Sequence, residues 1–210
     1  MTKSIRIEYR AANGALLTER PTAVFTDYTA HRFDENGRRL DAEQFFTENG
    51  IYYHRRLNSD LTPTSCTTLL RCNPAARGVV TVRPDVFEIE LYAFDHCTQI
   101  AKILLPQNQP LCLAAGAFAD CSALQELALP AGTTYDYNVL LGCTALRRLT
   151  LADGGRDFDD GDPQFTGCDY VDGLLDQLPP QTLARLTVCA PACSPAEQVA
   201  HRRGILFEAL

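Results

Sequence analysis

The chain has 210 residues, 46 % of them apolar and 21 % charged, and a formal net charge of −7. That is enough apolar material for the core of one domain or of two small ones. The acidic balance argues against a nucleic-acid surface, which needs a clustered basic face, and no apolar run approaches the roughly 20 residues that span a bilayer.

At the N-terminus, Ile5-Arg6-Ile7-Glu8-Tyr9 alternates apolar and polar side chains and runs into Asn13-Gly14, then Leu16-Leu17. Alternation followed by Asn-Gly predicts a hairpin, because tight turns between strands need left-handed residues. Asn36-Gly37 and Asn49-Gly50 repeat the cue, so residues 1–60 are expected to form a small β-rich cap or subdomain. Met1 to Arg10 lacks the charged-then-apolar order of an export leader, which predicts a cytoplasmic protein, or a secreted or surface one if the chain is cut from a longer precursor.

Residues 61–193 carry an internal repeat, which is the sequence feature that most constrains a fold. Ala93-Phe94-x-x-Cys97-x-x-Ile100-x-x-Ile103-x-Leu105-Pro106 is followed by Ala117-Phe118-x-x-Cys121-x-x-Leu124-x-x-Leu127-x-Leu129-Pro130, then by Leu140-x-x-Cys143-x-x-Leu146-x-x-Leu149-x-Leu151. A stretched fourth unit runs from Phe165-x-x-Cys168 to Leu183-x-x-Leu186-x-Val188, and Val80-x-Val82 supplies a strand upstream. In a strand alternate side chains share a face, so the last two apolar residues of each unit point the same way. The expected fold class is therefore α/β: a leucine-rich-repeat solenoid with a parallel β-sheet of about five rungs, the N-terminal cap, and a short C-terminal helix cap over residues 194–210.

The cysteines support the same period. There are nine, an odd number, and Cys97, Cys121, Cys143 and Cys168 recur at intervals of 24, 22 and 25 residues. Regular spacing marks a repeated slot for a small apolar residue rather than a disulfide framework. The run Val80-Thr81-Val82 through Val86 and Ile89 to Ala93-Phe94-x-x-Cys97 resembles the BspA-type leucine-rich repeat, and Gly50-Ile51-Tyr52-Tyr53 with Thr68 to Pro74 resembles the degenerate segment that opens such arrays. That resemblance implies a leucine-rich-repeat solenoid of the kind found in bacterial surface or secreted proteins, associated with adhesion or protein binding.

The C-terminal segment has its own signals. Ser194-Pro195-Ala196-Glu197 reads as an N-cap, a proline at the first helical position and a reciprocal glutamate, with Gly204 as the stop. Ile205-Leu206-Phe207 is then placed to fold over the last rung.

Candidate chemistry is sparse. The sheet face opposite the leucines is expected to carry Lys102, Glu126, Arg148 and Arg185, as a binding surface or a plain ladder of cross-strand pairs. Asp157-Phe158-Asp159-Asp160-Gly161-Asp162 suggests calcium, but its spacing departs from the Asp-x-Asp-x-Asp-Gly loop and Cys168 stands where a bidentate glutamate belongs. Cys189-x-x-x-Cys193 with His201 supplies only part of a closed zinc site. A thiol nucleophile would need one of four histidines, His31, His54, His96 or His201, as its base, and no phosphate loop or nucleophile elbow is present. The expectation is a protein–protein interaction module without catalytic activity or cofactor, with a protein partner rather than nucleic acid and no membrane span. The alternatives are a secreted or surface adhesin-like binding protein and a cysteine-dependent enzyme centred on the N-terminal region.

Overall fold

The Asn-Gly pairs act where the sequence places them. In the computed structural model, which describes residues 6–11, 13–18, 28–39, 43–58, 60, 62–155 and 170–210, Asn49 and Gly50 have φ of +52° and +74°. Both central residues being left-handed makes the tight two-residue turn that joins β4 (Glu43–Glu48) to β5 (Ile51–Leu57). The register it sets pairs Phe46 with Tyr53, whose rings stack at 5.3 Å in the core. Gly14, at φ +83°, lies in the longer turn that joins β1 (Arg6–Ala11) to β2 (Leu16–Leu17). Between these hairpins runs β3 (Tyr28–Phe33), antiparallel to both β1 and β4.

The next strand joins this meander to the repeats. β6 (Pro63–Cys72) pairs antiparallel with β5 on one edge and parallel with β8 (Val86–Ile89) on the other. Two short strands, β10 (Cys112–Leu113) and β12 (Thr134–Tyr135), continue the parallel series through Ile89↔Leu113↔Tyr135. The result is a nine-stranded mixed sheet in the order β12-β10-β8-β6-β5-β4-β3-β1-β2.

The leucine-bearing strands form a second sheet, wholly parallel. It contains β7 (Arg77–Thr81), β9 (Gln99–Leu104), β11 (Glu126–Leu129), β13 (Arg148–Leu151), β14 (Thr187–Ala190) and β15 (Leu206–Ala209), ordered β15-β14-β13-β11-β9-β7. Its inner residues Ile103, Leu127, Leu149 and Val188 are adjacent in register and buried. Ile89, Leu113 and Tyr135 of the larger sheet, together with Phe94, Phe118 and Leu140, complete the same core. Among the described residues three short helices follow the repeats: α1 (Val171–Leu175), α2 (Pro180–Leu183) and α3 (Pro195–Arg203). The Ser194 hydroxyl accepts the Glu197 amide, and Gly204 ends α3 at φ +65°. No helix of the described residues is long and apolar enough to cross a membrane.

The expected α/β class and five-rung leucine-rich-repeat solenoid do not hold. The described residues are 41 % strand and 10 % helix, arranged as a mixed sheet of nine strands and a separate parallel sheet. Hydrogen bonding explains the difference. The Ala-Phe-x-x-Cys connectors do not coil into helices, because alternate amides donate across to the next unit: Tyr92 to Ala115, Phe94 to Ala117, Gly116 to Tyr137 and Phe118 to Val139, at 2.8–3.1 Å. Each connector also holds left-handed residues, which break an α-helix: Tyr92 and His96 in one, Asp120 in the next. The N-terminal strands share one sheet with the repeats, since β6 bonds on both edges and carries the sheet through. At the other end α3 is followed by β15, which extends the parallel sheet beyond β14.

The repeated cysteines are packed thiols among the described residues. Cys97, Cys121 and Cys143 are buried and free, and Cys72 joins their column. The Cys121 thiol donates to the Phe94 carbonyl at 3.3 Å and the Cys143 thiol to Phe118 at 3.2 Å. Burial disfavours the thiolate, so it pushes Cys121 up strongly and Cys143 up to about 12. Cys168 lies outside the described residues, as does the Phe165 that opens its unit.

A polar cluster ties the meander to the repeats. Asp85 accepts Arg55 at 2.8 Å, Arg83 at 2.9 Å and the Thr67 hydroxyl at 2.9 Å, while Arg83 also reaches Glu48. Both guanidinium groups lie over the Phe46 ring, at 5.0 and 5.3 Å. Burial alone would raise the Asp85 carboxyl, but Arg83, Thr67 and Arg55 outweigh it and hold it below the usual range. Asp85→Asn is expected to cost about 1–2 kcal/mol at neutral pH, a charged hydrogen-bond network weakened by its partial exposure. A depressed carboxyl contributes stability above its unfolded pKa, near 3.9, and loses it as pH falls through the folded value. Urea midpoints of the two proteins should therefore differ at pH 7 and converge towards pH 3.

Candidate functional site

Parallel register decides which side chains meet on the outer face of the six-stranded sheet. One row runs Val79, Lys102, Glu126, Arg148, Thr187 and Leu206, each paired with the next. A second row brings Thr81 to Leu104 and, further along, Ala128, Thr150, Cys189 and Glu208 together. The Lys102 ammonium donates to Glu126. Arg148 binds both carboxylate oxygens of Glu208, at 2.8 and 2.7 Å, in the fork geometry that favours arginine. This pairing raises Arg148 and lowers Glu208 from their ordinary values.

Three of the four residues expected from the sequence thus share one surface. Lys102, Glu126 and Arg148 line a shallow concavity of about 330 Å³ together with Leu104, Gln107 and Thr150. The Gln107 amide donates to the carbonyls of Leu105 and Ala128, both at 3.2 Å, and so holds one wall. Arg185 is elsewhere: it precedes β14 by two residues and donates to the Thr144 carbonyl at 2.9 Å. The partner of Arg148 that spacing did not reveal is Glu208, sixty residues away on the strand after α3. Exposed apolar side chains flank the charges, with Val79 61 %, Leu104 40 % and Leu206 63 % accessible. Cys189 lies beneath Arg148 and Glu208 with no exposure, and burial pushes its thiol up.

The other sequence candidates separate. His96 Nδ1 lies 2.6 Å from Asp95 on the surface, whereas Cys97 is buried and its thiol donates to the Asn73 carbonyl. His31 and His54 lie in β3 and β5, and His201 stands edge-on to Phe207 at 5.9 Å. Cys189, Cys193 and His201 do not gather as a metal-ligand group among the described residues. The Asp157–Asp162 stretch weighed as a calcium loop lies outside the described residues. No family model, curated protein or solved structure matches the chain, so a functional reading has to be built on the geometry of this face.

Proposed function

We propose that this chain is a protein-interaction module without catalytic activity, and that it binds a protein partner on the outer face of its six-stranded sheet. The observation that carries the reading is the convergence of Lys102, Glu126 and Arg148 in one concavity between exposed Val79, Leu104 and Leu206. Arginine is enriched at binding hot spots, and Arg148 stands here between exposed apolar side chains that a partner would cover. The charges already neutralise one another, Lys102 with Glu126 and Arg148 with Glu208. A partner therefore meets a surface that repels neither sign, while a nucleic acid finds no net positive field to release its counterions. Regular strands fix the backbone beneath these side chains, which lowers the entropy lost on binding.

A photo-cross-linking residue in place of Leu104 tests the reading, with one in place of Leu141, exposed on a connector, as the control. Position 104 is expected to give a partner adduct that Arg148→Glu weakens roughly tenfold, as loss of a hot-spot contact does. Adducts from position 141 alone, or adducts from 104 indifferent to Arg148→Glu and Glu126→Lys, would overturn it.

A further inference from the structure

We propose that Asp95, His96 and Asp120 form a binding site for a divalent transition-metal ion of the zinc class. The donor atoms, one imidazole nitrogen and two carboxylate oxygens, all lie within 4.8 Å of one another. His96 Nδ1 is 2.6 Å from the Asp95 carboxylate and 4.0 Å from that of Asp120. A tetrahedral ion with ligand bonds of about 2.0–2.2 Å holds its donors roughly 3.3–3.6 Å apart. Binding would open the 2.6 Å His96–Asp95 pair and draw Asp120 inwards by rotation of these surface side chains.

The backbone brings the three together across two successive units. His96, Asp120 and Gly142 occupy the same slot before each cysteine, all left-handed, with φ of +59°, +54° and +77°. The His96 amide donates to Ala119 and the Asp120 amide to Leu141, so the two slots are locked side by side. Gly142 makes the room: a Cβ there would fall 2.1 Å from Asp120 Oδ1, in space the carboxylate now occupies. A side chain at the third slot would displace the carboxylate from the histidine it faces.

Donor chemistry selects the ion. Calcium and magnesium want more oxygens than two carboxylates supply, and neither favours an imidazole nitrogen. Mixed nitrogen and oxygen donors suit zinc, with three protein ligands and a position left for water or a partner's group. The two carboxylates that face the ring nitrogen supply negative charge where a dication would sit.

Calorimetric titration of the full chain with Zn²⁺ tests the site against exposed thiols, which also take zinc: Cys66, Cys112 and Cys193 are free and exposed. His96→Asn is the informative variant because asparagine tolerates the left-handed backbone. Wild type is expected to bind one more equivalent of zinc than His96→Asn, and Asp120→Asn to weaken that equivalent at least about tenfold. Sub-stoichiometric zinc should shift the His96 ring resonances, with unchanged circular dichroism in all three proteins. Equal zinc equivalents in wild type and both variants, with His96 resonances unmoved, would assign the metal to the thiols and overturn the proposal.

Discussion

Phe118→Ala is expected to destabilise the protein by about 3–5 kcal/mol, the range for removing a fully buried aromatic side chain. The Phe118 ring has no exposure and packs on Phe94 with centroids 5.4 Å apart and planes tilted by 40°. Such a pair adds about 0.5–1.5 kcal/mol to the burial itself. Its amide is bonded to Val139 in the next unit, which keeps the backbone from closing over the cavity. The third unit carries Leu140 in the same slot, equally buried. Phe118→Leu should therefore cost well under half as much, because a leucine is a shape that this slot already accepts. Urea denaturation of the two variants checks both statements, and an unchanged midpoint for Phe118→Ala would take the connectors out of the core.

The slot that Phe118 fills was readable in the sequence, and so was the register of Ile103, Leu127 and Leu149, because both recur at a nearly fixed period with large apolar residues. The nine-stranded sheet was not. β10 and β12 are two residues long, too short for alternation to show. β6 opens on Pro63 and has a register irregularity against β5 between Tyr52 and Tyr53, so its pattern slips from one face to the other. A single parallel sheet of about five rungs was expected because one strand per repeat is all that the leucine spacing marks. Amides that donate sideways to the next unit leave no sequence mark of their own.

The candidate face divides along the same line. Lys102, Glu126 and Arg148 sit one residue before the inner leucine or isoleucine of their strands, so register alone lined them up. The same offset in the last unit falls on Thr187, before Val188, and not on Arg185. Glu208 was beyond reach because nothing in the spacing announces that β15 follows a helix back into the sheet. Asp95, His96 and Asp120 escaped for a related reason. His96 next to Cys97 draws the eye to a thiol–imidazole pair, while the slot it shares with Asp120 is visible only once the left-handed backbone is known.

Leu149→Ala is expected to cost about 2–5 kcal/mol, the range measured for large-to-small changes in cores. Leu149 has no exposure and lies on β13 between Leu127 of β11 and Val188 of β14. Strands in a sheet stay about 4.8 Å apart whatever they carry, so the neighbours cannot move in and the lost volume stays as a cavity. Leu104, on the outer face of β9 and 40 % exposed, provides the contrast. Leu104→Ala should shift stability by no more than about 0.5 kcal/mol. Leu127→Ala should resemble Leu149→Ala, but the double variant should depart from the sum by about 0.5–3 kcal/mol, since the two cavities merge. If the single changes were instead additive and small, the two sheets would not share the packed core that holds the Lys102–Arg148 face in place.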